Sequence, residues 1–451
     1  MHSIAKSIEL LLKYAEKHGL AAGLDLILAR NLLMDLLNVQ QPFEGEITDD
    51  ESNLEAILAP MLEHLETITQ RDLLEGKIMG ILTPRQSEVE AKFREIKESQ
   101  GVRAATDYFY ALSRATNYIK TERIKKNLSW MHQTDFGELQ ITINLSKPEK
   151  DPRDIVNVKD FGYPKCLLCA ENVGYAGHTS HPARQNHRIL PITMGGEDWY
   201  FQYSPYLYYN EHCIPLCGQH RPFAINENTF VKLADFLDVF PHYFVGSNAG
   251  LPIVGGSILN HDHFQGGRHT FPIQDAEALE KYDILGVSAE IIKWPMSVVR
   301  LKSKERAKII KAATFVLEKW QKYEDASVDV LAFSGGMPHN TITPIARINT
   351  AGEYEFDLVL RNNRTSEEYP DGIFHPHPEV QHIKKENIGL IEVMGMAILP
   401  GRLAEQVADN KPDVKKYMGD IFLEVLKHAG VFKTDEQGLN AFKKFMSEVV
   451  K

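Results

Sequence analysis

The sequence predicts a mixed α/β (α+β) chain, a helical N-terminal region followed by two α/β halves. Three observations carry this expectation. Residues 3 to about 125 space their apolar side chains at helical intervals. Near residue 138 the period changes to two, the interval of a half-buried strand. From 160 onward come short aromatic-rich strands and turns, and after 280 helices and strands are mixed.

The elements follow in order. Ser3 caps a first helix in which Ile4, Ile8, Leu11, Leu12 and Ala15 recur at helical spacing. Comparable patterns run from Leu24 to Leu37, from Leu54 to Ile68 with a kink at Pro60, and from Ser87 to Ile96 before a break at Gly101. The stretch Asp107 to Tyr118 has more aromatic residues than an exposed helix needs. In LQITINLS, apolar Leu139, Ile141, Ile143 and Leu145 alternate with polar residues, as on a strand with one buried face. HRILPIT, WYFQYSPYLYY, HYFVGSN and HFQGGRHTF read as short strands and turns. Between them a helix from Thr229 to Phe240 puts Phe230, Leu233, Phe236, Leu237 and Phe240 on one face. A charged helix from Lys302 to Tyr323, strands VLAFS, NTITPIARIN and EFDLVLRN, and C-terminal helices complete the chain. The division is 1–130, 131–278 and 279–451.

The composition bounds the function. The chain has 451 residues, 43% apolar and 25% charged, which excludes a disordered tail or a fibrous repeat. A net charge of −11 argues against broad binding to a nucleic-acid backbone. It leaves room for one small phosphorylated ligand in a local basic pocket. The N-terminus lacks a long apolar run with a small-residue cleavage site, so no signal peptide is expected. The most apolar segments are interrupted by charge, so no membrane span is expected. Four Cys, at 166, 169, 213 and 217, fall in one short window. That placement suits metal ligands or plain thiols in a reducing cytoplasm better than a disulfide scaffold.

The chemistry concentrates in Ser247 to His269, SNAGLPIVGGSILNHDHFQGGRH. His261, His263 and Gln265 alternate, so an extended strand turns all three to one face. Gly255 and Gly256 precede them, Gly266 and Gly267 follow, and Arg268 and His269 add positive or proton-donating groups. Glycine allows backbone N–H groups close to an anion. A neutral imidazole is nucleophilic near pH 7 once its tautomer is fixed. The pattern suits attack on phosphorus, with Gln265, Arg268 and backbone N–H groups stabilising charge. The product would be a nucleotidyl-histidine and the kinetics ping-pong.

LPIVGGSILNHDHFQGG resembles the active-site signature of the class II galactose-1-phosphate uridylyltransferases. YPKCLLCAENVGYAGHTSHPARQNHRILP, FQYSPYLYYNEHCIPL and HIKKENIGLIEVMGMAILPGRL resemble other blocks of that family. The resemblance implies two histidine-triad-like halves with antiparallel sheets behind the helical region. It implies UMP exchange between UDP-glucose and galactose 1-phosphate, a step of galactose catabolism in the cytoplasm, by a homodimer without an organic cofactor. The alternative is another histidine-triad-type nucleotidyltransferase, phosphorylase or hydrolase. In the class I branch the signature reads His-Pro-His-x-Gln. Here Asp262 stands where the proline is, and Phe264 replaces a small residue. Carried over by position, His263 is the nucleophile, Gln265 stabilises the intermediate, and His261 is a zinc ligand.

Cys166-x-x-Cys169 has the spacing of half a zinc site. The resemblance adds His220 and His261, giving a structural Cys2His2 site of Cys166, Cys169, His220 and His261. A set with Cys213 and Cys217, or no metal at all, remains open at this level. By the same carry-over Asn248 meets the uridine, Gly256 and Ser257 the phosphates, and Glu392 the sugar hydroxyls. Lys384 and Lys385 suit either the sugar phosphate or solvent, and Asn186 and Arg188 either the nucleotide or a turn. Arg361 and Arg364 are candidates for phosphate contacts. His375-Pro376-His377 copies the class I motif without a Gln two positions on, and reads as a vestige, a loop, or with His339 a second metal site.

Overall fold

The computed structural model describes residues 3–47, 53–146, 162–256, 258–407 and 412–450. The chain forms two compact units. The first comprises residues 1–126, 146–192 and 200–207, and the second residues 127–145, 193–199 and 208–451.

The first unit is helical: α1 (Ile4–Lys17), α2 (Leu24–Leu36), α3 (Leu54–Leu62), α4 (Ile68–Leu82), α5 (Gln86–Gln100), α6 (Val102–Ala115) and α7 (Thr121–Ile124). Ser3 caps α1 as expected, its Oγ accepting from the Lys6 N–H at 3.2 Å. Ile8, Leu11, Leu12 and Ala15 are buried. The expected helix from Leu54 to Ile68 instead ends at Leu62. Thr67 then opens α4 with a reciprocal capping box to Gln70. The sequence reading has no counterpart of α4. Between α5 and α6, Gly101 turns the chain at φ 92°, a left-handed conformation that favours glycine. The aromatic surplus of α6 is explained by Phe109, whose ring meets Phe93, Phe201 and Tyr203 at 5.4–6.5 Å. On α2, Leu24, Ile27, Leu28 and Leu32 form an exposed apolar row.

β1 (Leu128–Thr134) and β2 (Gly137–Asn144) form a hairpin of the second unit. β3 (Leu190–Met194) and β4 (Glu197–Tyr203) lie where the chain passes from one unit to the other and back. The main strands of the second unit are β5 (Cys213–Cys217), β6 (Phe244–Gly246), β7 (Gln265–Gly267), β8 (Ala278–Ile284), β9 (Val287–Ile292) and β10 (Val298–Ser303). β11 (Phe333–Ser334) and β12 (Met337–Pro338) make a short ribbon, so VLAFS is a strand over its last two residues alone. β13 (Asn340–Ile348), β14 (Tyr354–Asn362) and β15 (Met396–Pro400) complete the set.

The sheet runs β5-β7-β6-β13-β14-β10-β9-β8, every neighbouring pair antiparallel. β2 is central in a second sheet, β1-β2-β15. Leu139, Ile141 and Ile143 are buried there as the alternation requires, whereas Leu145 lies beyond the strand end and is exposed. Helices α8 (Glu227–Val239) and α9 (Arg306–Trp320) follow the expected apolar faces, α9 starting later than expected because Lys302 belongs to β10. Short helices α10 (Leu390–Val393) and α11 (Ala404–Val407) precede α12 (Pro412–Ala429) and α13 (Glu436–Val449). The core of this unit gathers β2, β15, α10 and α12 side chains around Trp294, Phe271 and Phe422. Mixed helices and mainly antiparallel sheets, with β15 parallel to β2, are therefore the observed class. Among the described residues no helix is long and apolar enough to cross a membrane.

Candidate active site

The chain bends at Asn260 and His261, and the segment Asp262 to Gly267 then runs extended beside β5. The Asp262 N–H donates to the Arg221 carbonyl at 2.7 Å, and the Phe264 N–H to the Pro215 carbonyl at 2.8 Å. The Cys217 N–H returns a bond to the Asp262 carbonyl at 2.9 Å. Extended backbone sends odd-numbered and even-numbered side chains to opposite faces. His263 and Gln265 therefore share a face, and His261 lies at the bend before them.

The even-numbered side chains anchor the segment. Asp262 Oδ2 lies 2.9 Å from Lys232 Nζ on α8 and 3.6 Å from Arg221 Nη2. Phe264 stacks on Trp199 with ring centres 5.2 Å apart. These contacts replace the backbone constraint that a proline between the two His would supply. A proline would also lack the N–H that Asp262 gives to Arg221.

His263 is buried, and its Nδ1 lies 2.7 Å from the His261 carbonyl oxygen. A carbonyl only accepts, so Nδ1 carries the proton and Nε2 the lone pair. Burial lowers the imidazole below its ordinary 6.5, partly countered by that hydrogen bond. The ring stays neutral at neutral pH. Gln265 is half-buried, and its Oε1 lies 3.2 Å from Nε2 of buried His212. The sequence reading did not single out His212. Its only signal was a His one residue before β5.

The glycines serve packing. A Cβ at Gly266 would stand 2.6 Å from the Phe244 carbonyl oxygen and 3.1 Å from Cys213 Sγ, so this residue lets β7 fit between β5 and β6. A Cβ at Gly256 would stand 2.3 Å from Asn248 Nδ2. Asn248 Oδ1 accepts from the Leu390 N–H at 2.8 Å, tying the Gly255–Gly256 turn to α10. Ser257 lies outside the described residues.

Glu392 is buried at the start of α10. One carboxylate oxygen accepts from the Gly389 N–H at 3.1 Å and the other pairs with Lys384 Nζ at 2.9 Å. Lys384 is thus a buried partner of Glu392, and not a solvated lysine. Arg361 is 1% exposed and donates to the Ile388 carbonyl at 2.9 Å and Thr343 Oγ1 at 3.2 Å. Its Nε is buried without a hydrogen-bond partner. Arg268 pairs with the buried Glu211, and Arg364 with Asp329. In the first unit, Asn186 donates to the Thr116 carbonyl at 2.8 Å, and Arg188 to the Pro84 carbonyl at 2.7 Å. Both hold chain segments together.

Ligand-type residues occur as pairs. In the first unit Cys166 Sγ and Cys169 Sγ are 3.6 Å apart. Two thiolates of one tetrahedral zinc stand about 3.8 Å apart, so the pair has the right separation. In the second unit His220 and His261 each offer a ring nitrogen within 4.8 Å of the other. Cys213 and Cys217 occupy opposite ends of β5. At about 3.3 Å per strand residue they lie ~13 Å apart and cannot share one ion. Elsewhere in the second unit, His377 groups with Glu379 and His428 within 4.8 Å, and not with His339. His339 is held by Asn363 at 2.7 Å and Ser334 at 2.6 Å.

Comparison with known proteins gives the family. Residues 54–222 match the family model of the galactose-1-phosphate uridyl transferase N-terminal domain, and 236–426 that of its C-terminal domain. A galactose-1-phosphate uridylyltransferase of Caldanaerobacter subterraneus subsp. tengcongensis is 52% identical over 97% of this chain and 96% of its own. One of Bacillus subtilis is 46% identical over 99% and 98%. A solved structure of yeast Ap4A phosphorylase Apa2 aligns with a TM-score of 0.39 and 12% identity, over 78% of this chain and 96% of its own. With both domain models matched in order, and full-length relatives at about half identity, the chain belongs to the galactose-1-phosphate uridylyltransferase family of nucleotidyltransferases.

Proposed function

We propose that the chain exchanges UMP between UDP-glucose and galactose 1-phosphate through a uridylyl-histidine at His263. The observation that carries this is the 2.7 Å contact from His263 Nδ1 to the His261 carbonyl, which leaves the lone pair on Nε2. In the first half-reaction Nε2 bonds to the α-phosphorus of UDP-glucose. The phosphoanhydride P–O bond breaks, and its electron pair leaves with glucose 1-phosphate. In the second, a phosphate oxygen of galactose 1-phosphate bonds to the same phosphorus and the N–P pair returns to Nε2. No external base is needed, because the attacking and leaving phosphates carry their own charge.

Gln265 donates its amide N–H groups to the non-bridging phosphoryl oxygens. Asn248 meets the uridine, Gly256 and Ser257 meet the phosphates, and Arg268 adds positive charge. Glu392 accepts from sugar hydroxyls, since a carboxylate already taking one N–H keeps further lone pairs. Arg361 holds the Ile388 turn beside it, as a positioning residue. The functional division is 1–130, a catalytic half 131–278 and a second half 279–451.

Cys166, Cys169, His220 and His261 are the residues that hold zinc in this reading. Family likeness, the C-x-x-C separation in one unit and the His pair in the other support it. Bound there, zinc would be structural and fix His261, and so the segment carrying His263. Elemental analysis of protein purified without chelator, against Cys166→Ser, tests this; equal zinc in both refutes it. The protein works as a cytoplasmic homodimer, a reading that the exposed Leu24, Ile27, Leu28 and Leu32 row supports.

The deciding experiment mixes enzyme with UDP-glucose and no acceptor. One equivalent of glucose 1-phosphate per chain is expected as a burst, with none from His263→Asn. Sustained UMP release would mean hydrolysis, and no burst would sink the covalent mechanism.

A further inference from the structure

His212 lies outside the strand that follows His263, yet among the described residues it is the side chain within hydrogen-bond distance of Gln265. It is 2% exposed and its ring is clasped by Tyr208 and Tyr209, with centroids at 5.5 and 4.4 Å. Its backbone N–H donates to the Tyr209 carbonyl at 3.2 Å. The ring is therefore held by stacking and has little freedom to turn. Burial lowers its pKa to about 3, so at working pH it carries a single N–H.

That one proton has two places to go. Nδ1 is buried without a hydrogen-bond partner. A proton there would be an orphaned buried N–H, a rare arrangement in folded proteins. A proton on Nε2 meets Gln265 Oε1 at 3.2 Å instead. The amide oxygen is then engaged by His212, and the amide N–H groups are what Gln265 has left to offer. The opposite amide orientation would turn its carbonyl oxygen towards a phosphoryl anion, and oxygen repels oxygen there.

We infer that His212 is a positioning residue: its Nε2–H sets the polarity of the Gln265 amide so that this side chain donates to the phosphoryl group. This rests on the uridylyl-transfer reading above and deepens it by one residue. His212 touches neither substrate nor phosphorus, and acts only through Gln265.

The test measures the single-turnover rate of glucose 1-phosphate release from UDP-glucose. His212→Phe keeps the stacking and removes the donor, and a roughly ten-fold slower burst is expected, the worth of one neutral hydrogen bond. KM for UDP-glucose should change far less than kcat. His212→Gln puts an N–H the same number of bonds from Cβ and should recover most of the rate. His212→Asn, one bond shorter, should not. In a Gln265→Met background, His212→Phe should cost nothing more, because the amide it orients is gone. Additive losses in that background, equal rescue by Asn and Gln, or a parent-like rate in His212→Phe would each overturn the positioning role. A missing burst in the parent protein would overturn the uridylyl-histidine reading itself, and the role with it. If His212→Phe does not fold, the Gln and Asn variants still decide between the outcomes.

Discussion

Lys232 Nζ lies 2.9 Å from Asp262 Oδ2, with side chains only 7% and 10% exposed. The pair ties α8 to the back of the segment whose front carries His263. Lys232 also sits over the Trp199 ring at 4.8 Å, and Trp199 in turn stacks on Phe264. One residue on a helix thus supports both even-numbered neighbours of His263.

Removing one member of a buried ion pair leaves the other uncompensated, which costs ~3–5 kcal/mol. Arg221 stands 3.6 Å from the same Asp262 oxygen and softens that penalty. Lys232→Met is therefore expected to lose about 3 kcal/mol of unfolding free energy in urea. Lys232→Met with Asp262→Asn should recover part of it, since no charge is then stranded. A double variant less stable than the single one would refute the pairing argument.

Asp262→Pro recreates the His-Pro-His order of the class I branch, and it should fail to help. The proline removes the N–H that reaches the Arg221 carbonyl at 2.7 Å, and the carboxylate that meets Lys232. Expected are a loss of at least ~2 kcal/mol and a slower burst. A variant as stable and as fast as the parent would show that the ion pair constrains nothing.

The segment carrying His263 was legible because its information is local: alternation sends His263 and Gln265 to one face of an extended stretch. Their supports were not legible, since Lys232 is 30 residues before Asp262 and His212 is 53 before Gln265. Helix α4 escaped because its apolar residues form no clean stripe, with Glu75 and Gly76 buried beside Ile78 and Met79. Its capping box at Thr67 and Gln70 was the available signal. Arg361 read as a candidate phosphate contact in LVLRNNR; it lies in β14, a strand in the interior of the sheet, and is buried with it.

The rate of uridylyl-histidine formation should be flat above pH 6.5. Burial lowers His263 below that value, so the neutral form dominates throughout the neutral range. On the acid side the burst rate should fall with a midpoint under 6.5. A stopped-flow profile still rising between pH 6.5 and 8 would contradict the burial argument.

His212 couples stability to pH in a defined direction. Its folded pKa is about 3, below the unfolded value near 6.5, so the unfolded chain binds more protons between these limits. Stability is complete above pH 6.5 and declines as the pH falls towards 3. At pH 5 the loss from this one group is about 2 kcal/mol. Urea unfolding at pH 7 and pH 5 should therefore differ by about 2 kcal/mol less in His212→Phe than in the parent. An unchanged difference would mean that His212 does not stay neutral in the folded protein.

Asp357 is fully buried in the middle of the sheet, on β14, facing Arg300 of β10 and neighbouring Arg347 of β13. Its oxygens lie 2.6 Å from Arg300 Nε and 2.8 Å from Arg347 Nη1. Burial pushes the carboxyl up, and the two guanidiniums outweigh it and hold it below the usual carboxylate range. Because the folded pKa is depressed, this stabilisation is present above about pH 4 and is lost as the pH falls through the folded value. Asp357→Asn leaves Arg300 and Arg347, 3% and 6% exposed, with Glu355 as their remaining shared carboxylate. The expected cost is ~3–5 kcal/mol at pH 7, shrinking on acidification as the parent loses the same charge. Replacing Arg300, Arg347 and Asp357 together with apolar residues of similar size should cost less than Asp357→Asn alone, because the penalty lies in stranding charge. Urea unfolding of both variants at neutral pH distinguishes the cases. If Asp357→Asn were the milder change, the sheet would owe its stability to packing around these residues, and not to their pairing.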